Sequence, residues 1–272
     1  MAAGALLVTS RAETGVDLSD FDREGFVLLD ERLDSTALER MRCELQRVLG
    51  LRAEVMARQG VLQRTAGTGH HLLERDSAFV QWLSWLAEAA ATRMVAESLG
   101  GKPVLNSFGA VDNRKGSDQY VGSVHRDVRT YTSERRTMVQ LLVALDDFLP
   151  ETGATWLLPG SHRSPDKPSD AAFFDGAVQV SAEAGRLIFF DSRIWHAAGI
   201  NTTDRPRRAL TLTFTRSFLK PQFDYSRYLG YDYVASLPLP TQQLLGFFSR
   251  VPATLEEWYQ PPERRFYRPG QD

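Results

Sequence analysis

Residues 104–218 contain six short β-rich runs, VLNSFGAVDN (104–113), TMVQLLVAL (137–145), TWLL (155–158), VQV (178–180), RLIFF (186–190) and ALTLTFTRSF (209–218). Glycine, proline and small polar residues separate these runs, as at Glu151–Gly153, Pro159–Ser161 and Asp204–Pro206. Many short strands without alternating helices are typical of an antiparallel sandwich or barrel rather than a doubly wound parallel sheet. The sequence therefore predicts a β core over residues 102–220.

Helical patterns lie on both sides of this core. A helix is predicted to begin at Asp34 or Ser35, because apolar residues then recur with helical spacing at Leu38, Met41, Leu45, Val48 and Leu49. The other helical predictions are Ser77–Leu99, ending at Gly100, and two segments after the core at 222–228 and 241–248. We interpret the chain as one domain over residues 1–272, mainly β with α. It has a flexible N-terminus (1–17), a mostly helical flank (18–101) containing one short strand-like run (25–29), and C-terminal helices with an irregular tail (221–272).

Composition excludes several classes of function. The chain of 272 residues has 32 basic and 34 acidic side chains, and a net charge of −2 gives no general reason to bind nucleic acid or an anionic membrane. The single cysteine, Cys43, can form neither an internal disulfide nor a multi-cysteine metal site, and we expect it to be buried or at a boundary. No run approaches the roughly 20 apolar residues of a membrane span, and no signal peptide is recognisable. These features predict a cytoplasmic protein.

The histidines supply the first indication of chemistry. His125 and Asp127 are two residues apart, so on an extended chain their side chains project from one face. His196 follows the run RLIFF. Two histidines and one carboxylate form the facial triad of non-haem Fe(II) oxygenases, which leaves coordination positions open for a co-substrate and oxygen. The alternative is an ordinary polar pair at a strand end. A protein-kinase catalytic loop is excluded, because the Asn it requires five residues after the Asp is replaced by Thr132.

An arginine completes the pattern. Arg207 lies eleven residues after His196, just before the last β-rich run. Its planar guanidinium can bind the far carboxylate of a diacid such as 2-oxoglutarate through two parallel hydrogen bonds.

These residues, in this order, resemble the phytanoyl-CoA dioxygenase-like family of Fe(II)- and 2-oxoglutarate-dependent oxygenases. The resemblance covers roughly residues 18–220. It rests on the segments His125-x-Asp127, ALDD (144–147), GATWLLPGSH (153–162), Asp191 to His196, and Asn201 to Leu210.

The resemblance implies a double-stranded β-helix, a cupin-like jelly roll, with helices outside. His125, Asp127 and His196 would bind Fe(II) at the catalytic centre. Arg207 would anchor 2-oxoglutarate, although a shorter spacing in some relatives keeps Arg205 as an alternative. Family members convert 2-oxoglutarate and O2 to succinate and CO2 while oxidising a C–H bond. Asp127 is typical of a hydroxylase, because related halogenases leave that position vacant for halide.

Other polar residues are weaker candidates. Gln140, Asn113 and Asn106 fall on predicted strands and are candidates for binding the co-substrate. The candidates for binding the substrate are Arg126, His71 and Trp195, for which surface solvation or core packing is the alternative. Asp191 is expected to hydrogen-bond the backbone near His196, and His162 to have a structural role in its turn.

The favoured function is a dioxygenase that hydroxylates a small molecule in bacterial specialised metabolism, acting as a monomer or homodimer. Desaturation, epoxidation, cyclisation and endoperoxide formation use the same cofactors and stay open. A non-catalytic cupin-like metal- or ligand-binding protein is the alternative from another class, and a metal-dependent hydrolase or isomerase is a third, which would not need Arg207.

Overall fold

The computed structural model describes residues 18–62, 67–116 and 120–271. The strands are β1 (Phe26–Arg32), β2 (Thr68–His70), β3 (Pro103–Asn113), β4 (Met138–Ala144), β5 (Trp156–Leu157), β6 (Val178–Gln179), β7 (Arg186–Asp191), β8 (His196–Ala197) and β9 (Arg207–Arg216). The helices are α1 (Ser19–Glu24), α2 (Ser35–Arg58), α3 (Ala78–Leu86), α4 (Ala90–Leu99), α5 (Asp170–Gly176), α6 (Tyr225–Leu229), α7 (Tyr231–Ala235), α8 (Leu239–Leu244) and α9 (Leu255–Trp258). Short 3-10 turns lie at Tyr120–Gly122, Pro150–Thr152, Ser161–Arg163 and Pro262–Arg264. Residues 1–17, which the sequence predicts to be flexible, lie outside the described residues.

The strands form two antiparallel sheets. Six strands pair in the order β1-β7-β4-β9-β3-β2, and three pair in the order β6-β5-β8. A backbone bridge between His125 and His196 extends the smaller sheet beyond β8. The predicted fold class, mainly β with helices outside, is confirmed.

Alternation along β4 explains how the larger sheet packs. Val139, Leu141 and Val143 belong to the apolar core formed with the helices. Leu142 and Ala144 belong instead to a second core, which includes residues of the smaller sheet. Successive side chains of a strand point to opposite faces, so one face of the large sheet packs on helices and the other faces the small sheet.

The predicted helical flank contributes more β-structure than its pattern indicates. β1 joins the edge of the large sheet next to β7, with Phe26 opposite Phe190. β2 pairs with β3 at the other edge, with His70 opposite Gly109. A strand of three residues is too short to show alternation, so β2 could not be recognised from the sequence.

The predicted helix Ser77–Leu99 is wrong as one continuous element. It is divided into α3 and α4, and the side chain of Ser77 accepts a hydrogen bond from Val80 N at the beginning of α3. The carboxylate of Glu31 accepts hydrogen bonds from Ala90 N (2.9 Å) and Ala91 N (2.8 Å) at the beginning of α4. A residue on a distant strand therefore caps the second helix, which sequence periodicity cannot reveal.

The other helical predictions need smaller changes. α2 begins where predicted, because Asp34 accepts a hydrogen bond from Ala37 N at 2.7 Å. Cys43 on α2 is exposed rather than buried. The segment predicted at 222–228 is helical from Tyr225, after the Asp224 cap, and the segment predicted at 241–248 runs from Leu239 to Leu244. Within the described ranges, no helix is both long and apolar enough to cross a membrane.

Candidate active site

The two histidines of the predicted triad meet across a backbone bridge. His125 N donates to His196 O and His196 N donates to His125 O, both at 2.9 Å. Residues directly opposite each other in an antiparallel pair project to the same side, and the two imidazole centroids lie 4.2 Å apart. The pairing of the smaller sheet therefore brings together two residues that are 71 positions apart in the sequence.

Backbone carbonyls set the orientation of both rings. Nδ1 of His125 lies 2.7 Å from Ser123 O, and Nδ1 of His196 lies 3.1 Å from Ile194 O. A carbonyl oxygen only accepts, so each Nδ1 carries the proton and each Nε2 presents a lone pair. Burial lowers the pKa of His196, which keeps this ring neutral and able to bind a cation.

Asp127 faces these lone pairs. Its two carboxylate oxygens lie 3.8 Å from His125 Nε2 and 3.7 Å from His196 Nε2, which is beyond hydrogen-bond distance. Within the described part of the chain, Asp127 Oδ2 is buried without a hydrogen-bond partner. One ligand atom from each of the three residues lies within 4.8 Å of the others. This donor set and the unsatisfied carboxylate oxygen fit a divalent transition-metal ion.

One short loop supports two of the three side chains. Asp127 N donates to Ser192 O at 3.0 Å, and Ile194 O accepts from the His196 ring. The loop is held by Asp191, which is fully buried and receives hydrogen bonds from the guanidinium groups of Arg193 and Arg136. These arginines outweigh the effect of burial and lower the pKa of Asp191. Asp191 therefore has the backbone-ordering position that the sequence predicts.

A cavity of about 220 Å³ lies beside the three side chains, between the two sheets. Arg207 lines it and is only 1% exposed. Its guanidinium carbon lies 4.7 Å from the ring centroid of Phe148, and its Nε and Nη2 have no hydrogen-bond partner among the described residues. Burial lowers the pKa of Arg207 to about 10, so it is still a cation at neutral pH. A buried, unsatisfied guanidinium beside a cavity fits the carboxylate of a bound diacid.

Arg205, the alternative anchor, lies elsewhere. It is exposed and lines a surface depression with Arg42 and Asp146, away from the cavity. The register of β9 explains the difference, because the strand begins at Arg207 and Arg205 belongs to the preceding loop.

The three candidates for binding the co-substrate have different positions. Gln140 lines the cavity and is buried. Asn106 also lines the cavity, but it accepts from Gln222 N and donates to Thr213 Oγ1. Asn113 does not line the cavity, because its amide donates to Gly199 O at 2.9 Å and holds a loop.

The three candidates for binding the substrate lie outside the cavity. The Arg126 guanidinium stacks 3.9 Å from the ring centroid of Trp195, and the Trp195 indole donates to Asp166 O. The His71 ring stacks on Phe223, with centroids 4.3 Å apart, and Nδ1 lies 3.1 Å from the Tyr225 hydroxyl oxygen. Burial, followed by the neighbouring His70 and Arg52, lowers the pKa of His71 to about 4. These contacts indicate packing roles.

Several polar residues that line the cavity are not among the candidates chosen from the sequence. They include His70, on β2, and Thr211, on β9. The alternating pattern of the last β-rich run could have indicated Thr211, because it lies on the same face of β9 as Arg207. Nothing in the local sequence distinguishes His70 from His71. His162, by contrast, has the structural position predicted for it, with Nε2 3.2 Å from Asp22 O.

Comparisons with known proteins agree with this geometry. Residues 21–209 match the phytanoyl-CoA dioxygenase (PhyH) family. The chain is 36% identical to "Uncharacterized protein Rv1501" of Mycobacterium tuberculosis, over 91% of this chain and 92% of that protein. It is 28% identical to "Dioxygenase FUM3" of Gibberella moniliformis, over 50% of this chain and 47% of that protein. The crystal structure of EctD from S. alaskensis with 2-oxoglutarate and 5-hydroxyectoine superposes with a TM-score of 0.60 at 19% identity, covering 72% of this chain and 74% of EctD.

The protein is an oxidoreductase of the Fe(II)- and 2-oxoglutarate-dependent dioxygenase class, and its core is the cupin-like double-stranded β-helix that the sequence predicts. Within that class the chain belongs to the phytanoyl-CoA dioxygenase family, because the match extends over most of its length.

Proposed function

We propose that His125, Asp127 and His196 bind the iron, that Arg207 binds the far carboxylate of 2-oxoglutarate, and that the enzyme hydroxylates a C–H bond of a small molecule. One observation carries the proposal. A buried carboxylate oxygen of Asp127 and a buried guanidinium of Arg207, both without hydrogen-bond partners in the described ranges, border one cavity. Burial of either charged group without a partner costs free energy. A metal ion would balance the carboxylate, and a dianionic co-substrate would balance the guanidinium.

The bound iron and 2-oxoglutarate supply the oxidising chemistry, in which O2 is consumed and succinate and CO2 are released. The residues of this chain bind and orient. His125 and His196 keep their Nε2 lone pairs directed at one point, and the Arg207 fork fixes the far end of the co-substrate. Leu142 and Phe190 line the cavity with apolar surface, which limits water around the reacting groups.

Hydroxylation is the outcome that Asp127 favours. Its carboxylate occupies a ligand position that a halogenase would leave to halide. The other oxidative outcomes differ in the fate of the substrate radical, so product analysis by mass spectrometry distinguishes them. We place the reaction in bacterial specialised metabolism, in view of the breadth of the family and the mycobacterial origin of a relative at 36% identity.

Anaerobic titration tests the proposed site. Addition of Fe(II) and then 2-oxoglutarate to the purified protein should produce the weak visible charge-transfer band of the bound pair. His125→Ala should abolish the band because it removes one ligand. His70→Ala is the matched control, and it should keep the band because His70 lines the cavity without belonging to the triad. The absence of a band from the unaltered protein, or its persistence in His125→Ala, would contradict the proposed site.

Turnover separates this proposal from a binding protein with the same fold. In air, an oxygenase releases some succinate from 2-oxoglutarate even without its substrate, whereas a binding module releases none. Oxygen consumption in step with succinate also separates it from a hydrolase or isomerase.

A further inference from the structure

Turnover without substrate leaves an oxidising equivalent inside the protein. Conversion of 2-oxoglutarate to succinate and CO2 withdraws two electrons, whereas complete reduction of O2 takes four. One oxygen atom enters succinate, and the second must be transferred to the substrate or to another reductant. When no substrate is bound, the side chains that line the cavity are therefore candidates to supply the two missing electrons.

Met138 places a thioether in this cavity. It is the first residue of β4, and it lines the cavity together with Gln140 and Leu142, which share its face of the strand. The residue is half-buried. Within the described ranges, the methionines that do not line the cavity are Met41, Met56 and Met94.

Backbone hydrogen bonds connect Met138 to the proposed iron site. Met138 O accepts from Ser192 N at 3.3 Å, and Ser192 O accepts from Asp127 N at 3.0 Å. Met138 and Asp127 therefore lie on either side of one residue, and both line the same cavity. The thioether thus shares the cavity with a proposed metal ligand that is its close neighbour in space.

Chemistry favours the sulfur over the other groups nearby. A thioether accepts an oxygen atom through a lone pair on sulfur, and no bond has to break. Leu142 offers only C–H bonds, and Phe190 is 1% exposed, with its ring centroid 5.3 Å from that of His196. Asn106 Nδ2 lies 3.6 Å from Met138 Sδ, so a hydrogen-bond donor already lies beside the atom that would be oxidised.

We propose that Met138 is the site at which the enzyme oxidises itself when 2-oxoglutarate is consumed without substrate. O2, 2-oxoglutarate and the thioether give succinate, CO2 and methionine sulfoxide, with one oxygen atom of O2 in succinate and one on sulfur. The keto acid and the sulfur each lose two electrons, and O2 gains four. Met138 then marks the wall of the cavity beside which the reacting C–H bond of a substrate lies. This inference rests on the proposed iron and co-substrate site.

Labelled oxygen tests the modification. Protein loaded anaerobically with Fe(II) and 2-oxoglutarate is exposed to O2 labelled with oxygen-18, with catalase to remove peroxide and without substrate or added reductant. Mass spectrometry of peptides should show one labelled oxygen atom on Met138, in an amount that rises with succinate. A methionine sulfoxide reductase should remove this oxygen from the peptide, because a sulfoxide is reducible and a hydroxylated carbon is not. Succinate formation with an unlabelled Met138, or a label that the reductase does not remove, overturns the proposal.

Another methionine and a variant provide the controls. Met56 on α2 is half-buried like Met138 but lies outside the cavity, so an oxidant that diffuses through solution should label both. We expect the label at Met138 to exceed that at Met56 several-fold. His125→Ala should leave Met138 unlabelled because it removes a proposed iron ligand, and omission of 2-oxoglutarate should do the same. Comparable labelling of Met56, or labelling of Met138 that survives either change, overturns the proposal.

The two proposals fail in different ways. If the unaltered protein shows neither the charge-transfer band nor succinate, the proposed iron and co-substrate site is wrong, and the proposal for Met138 is wrong with it. If the band and succinate are normal but Met138 stays unlabelled, only the proposal for Met138 is wrong. Circular dichroism of His125→Ala confirms that the comparison is made between folded proteins.

Discussion

Arg207 and Arg208 are neighbours in the sequence and lie in opposite electrostatic environments. Arg208 donates two hydrogen bonds to the carboxylate of Asp146, which raises the pKa of Arg208. Arg207 points to the other face of β9, where burial lowers its pKa to about 10. Successive side chains of a strand point to opposite faces. Arg208 therefore forms a structural ion pair on one face, while Arg207 lines the cavity on the other.

Replacing Arg207 should weaken the binding of 2-oxoglutarate without preventing folding. Arg207→Lys keeps the charge but loses the planar fork, and charge-assisted hydrogen bonds contribute about 1.5–3 kcal/mol each, so the KM for 2-oxoglutarate should rise roughly 10- to 100-fold. Arg208→Gln is the matched control and should leave this KM unchanged while lowering the free energy of unfolding. An unaltered KM in Arg207→Lys would show that another residue anchors the co-substrate.

At the scale of elements, the loop from Asp191 to Ile194 orders the backbone around two of the proposed metal ligands. The loop connects β7 to β8. Its carbonyl groups accept hydrogen bonds from Asp127 N and from the His196 ring. Asp191 orders the loop through Arg136 and Arg193, and Arg193 also donates to Thr132 O. An ion-pair network that touches no ligand directly can therefore position two of them.

Asp191→Asn should loosen the iron site. The substitution leaves the largely buried Arg193 guanidinium without its counter-charge and leaves Arg136 paired with Asp22 alone. Loss of such outer contacts commonly lowers metal affinity about 10- to 100-fold. Isothermal titration of the folded protein with Fe(II) under anaerobic conditions measures this. Asp147→Asn is the control, because the Asp147 carboxylate lies at the surface and accepts a hydrogen bond from Ala184 N. If the free energy of unfolding falls but the Fe(II) dissociation constant is unchanged, Asp191 stabilises the fold without positioning the metal ligands.

At the scale of the whole molecule, folding and ligand binding are coupled through the cavity between the sheets. Asp127 Oδ2 and two nitrogens of Arg207 are buried without hydrogen-bond partners among the described residues, and such burial costs free energy. The helices and the two apolar cores stabilise the sheets that hold these groups in place.

Ligands that bind only the folded state should therefore raise its stability. At about 100 times its dissociation constant, 2-oxoglutarate added to the Fe(II) form should increase the free energy of unfolding by about 2.7 kcal/mol. Urea unfolding followed by circular dichroism under anaerobic conditions measures the change. A chelator that removes iron should reverse most of it, and Arg207→Lys should show a smaller increase at the same ligand concentration. Equal stabilisation of Arg207→Lys would be inconsistent with a co-substrate held by this arginine.

Much of the fold could be predicted from the sequence, because its signals are local. Apolar periodicity indicated α2, turn residues separated the β-rich runs, and the order of His125, Asp127, His196 and Arg207 indicated the family. The predicted helix over Ser77–Leu99 was wrong because Glu31, far away in the chain, caps its second half.

Which polar side chain faces the cavity was decided by tertiary structure. Sequence reasoning favoured His71 and Asn113, whereas pairing of β2 with β3 directs His70 into the cavity, and the loop at Gly199 engages Asn113. Strand register has a period of two residues, so a shift of one position exchanges the two faces of a strand. Motif order alone therefore determined the class of chemistry, while the pairing of distant strands decided which residues line the cavity beside the proposed iron site.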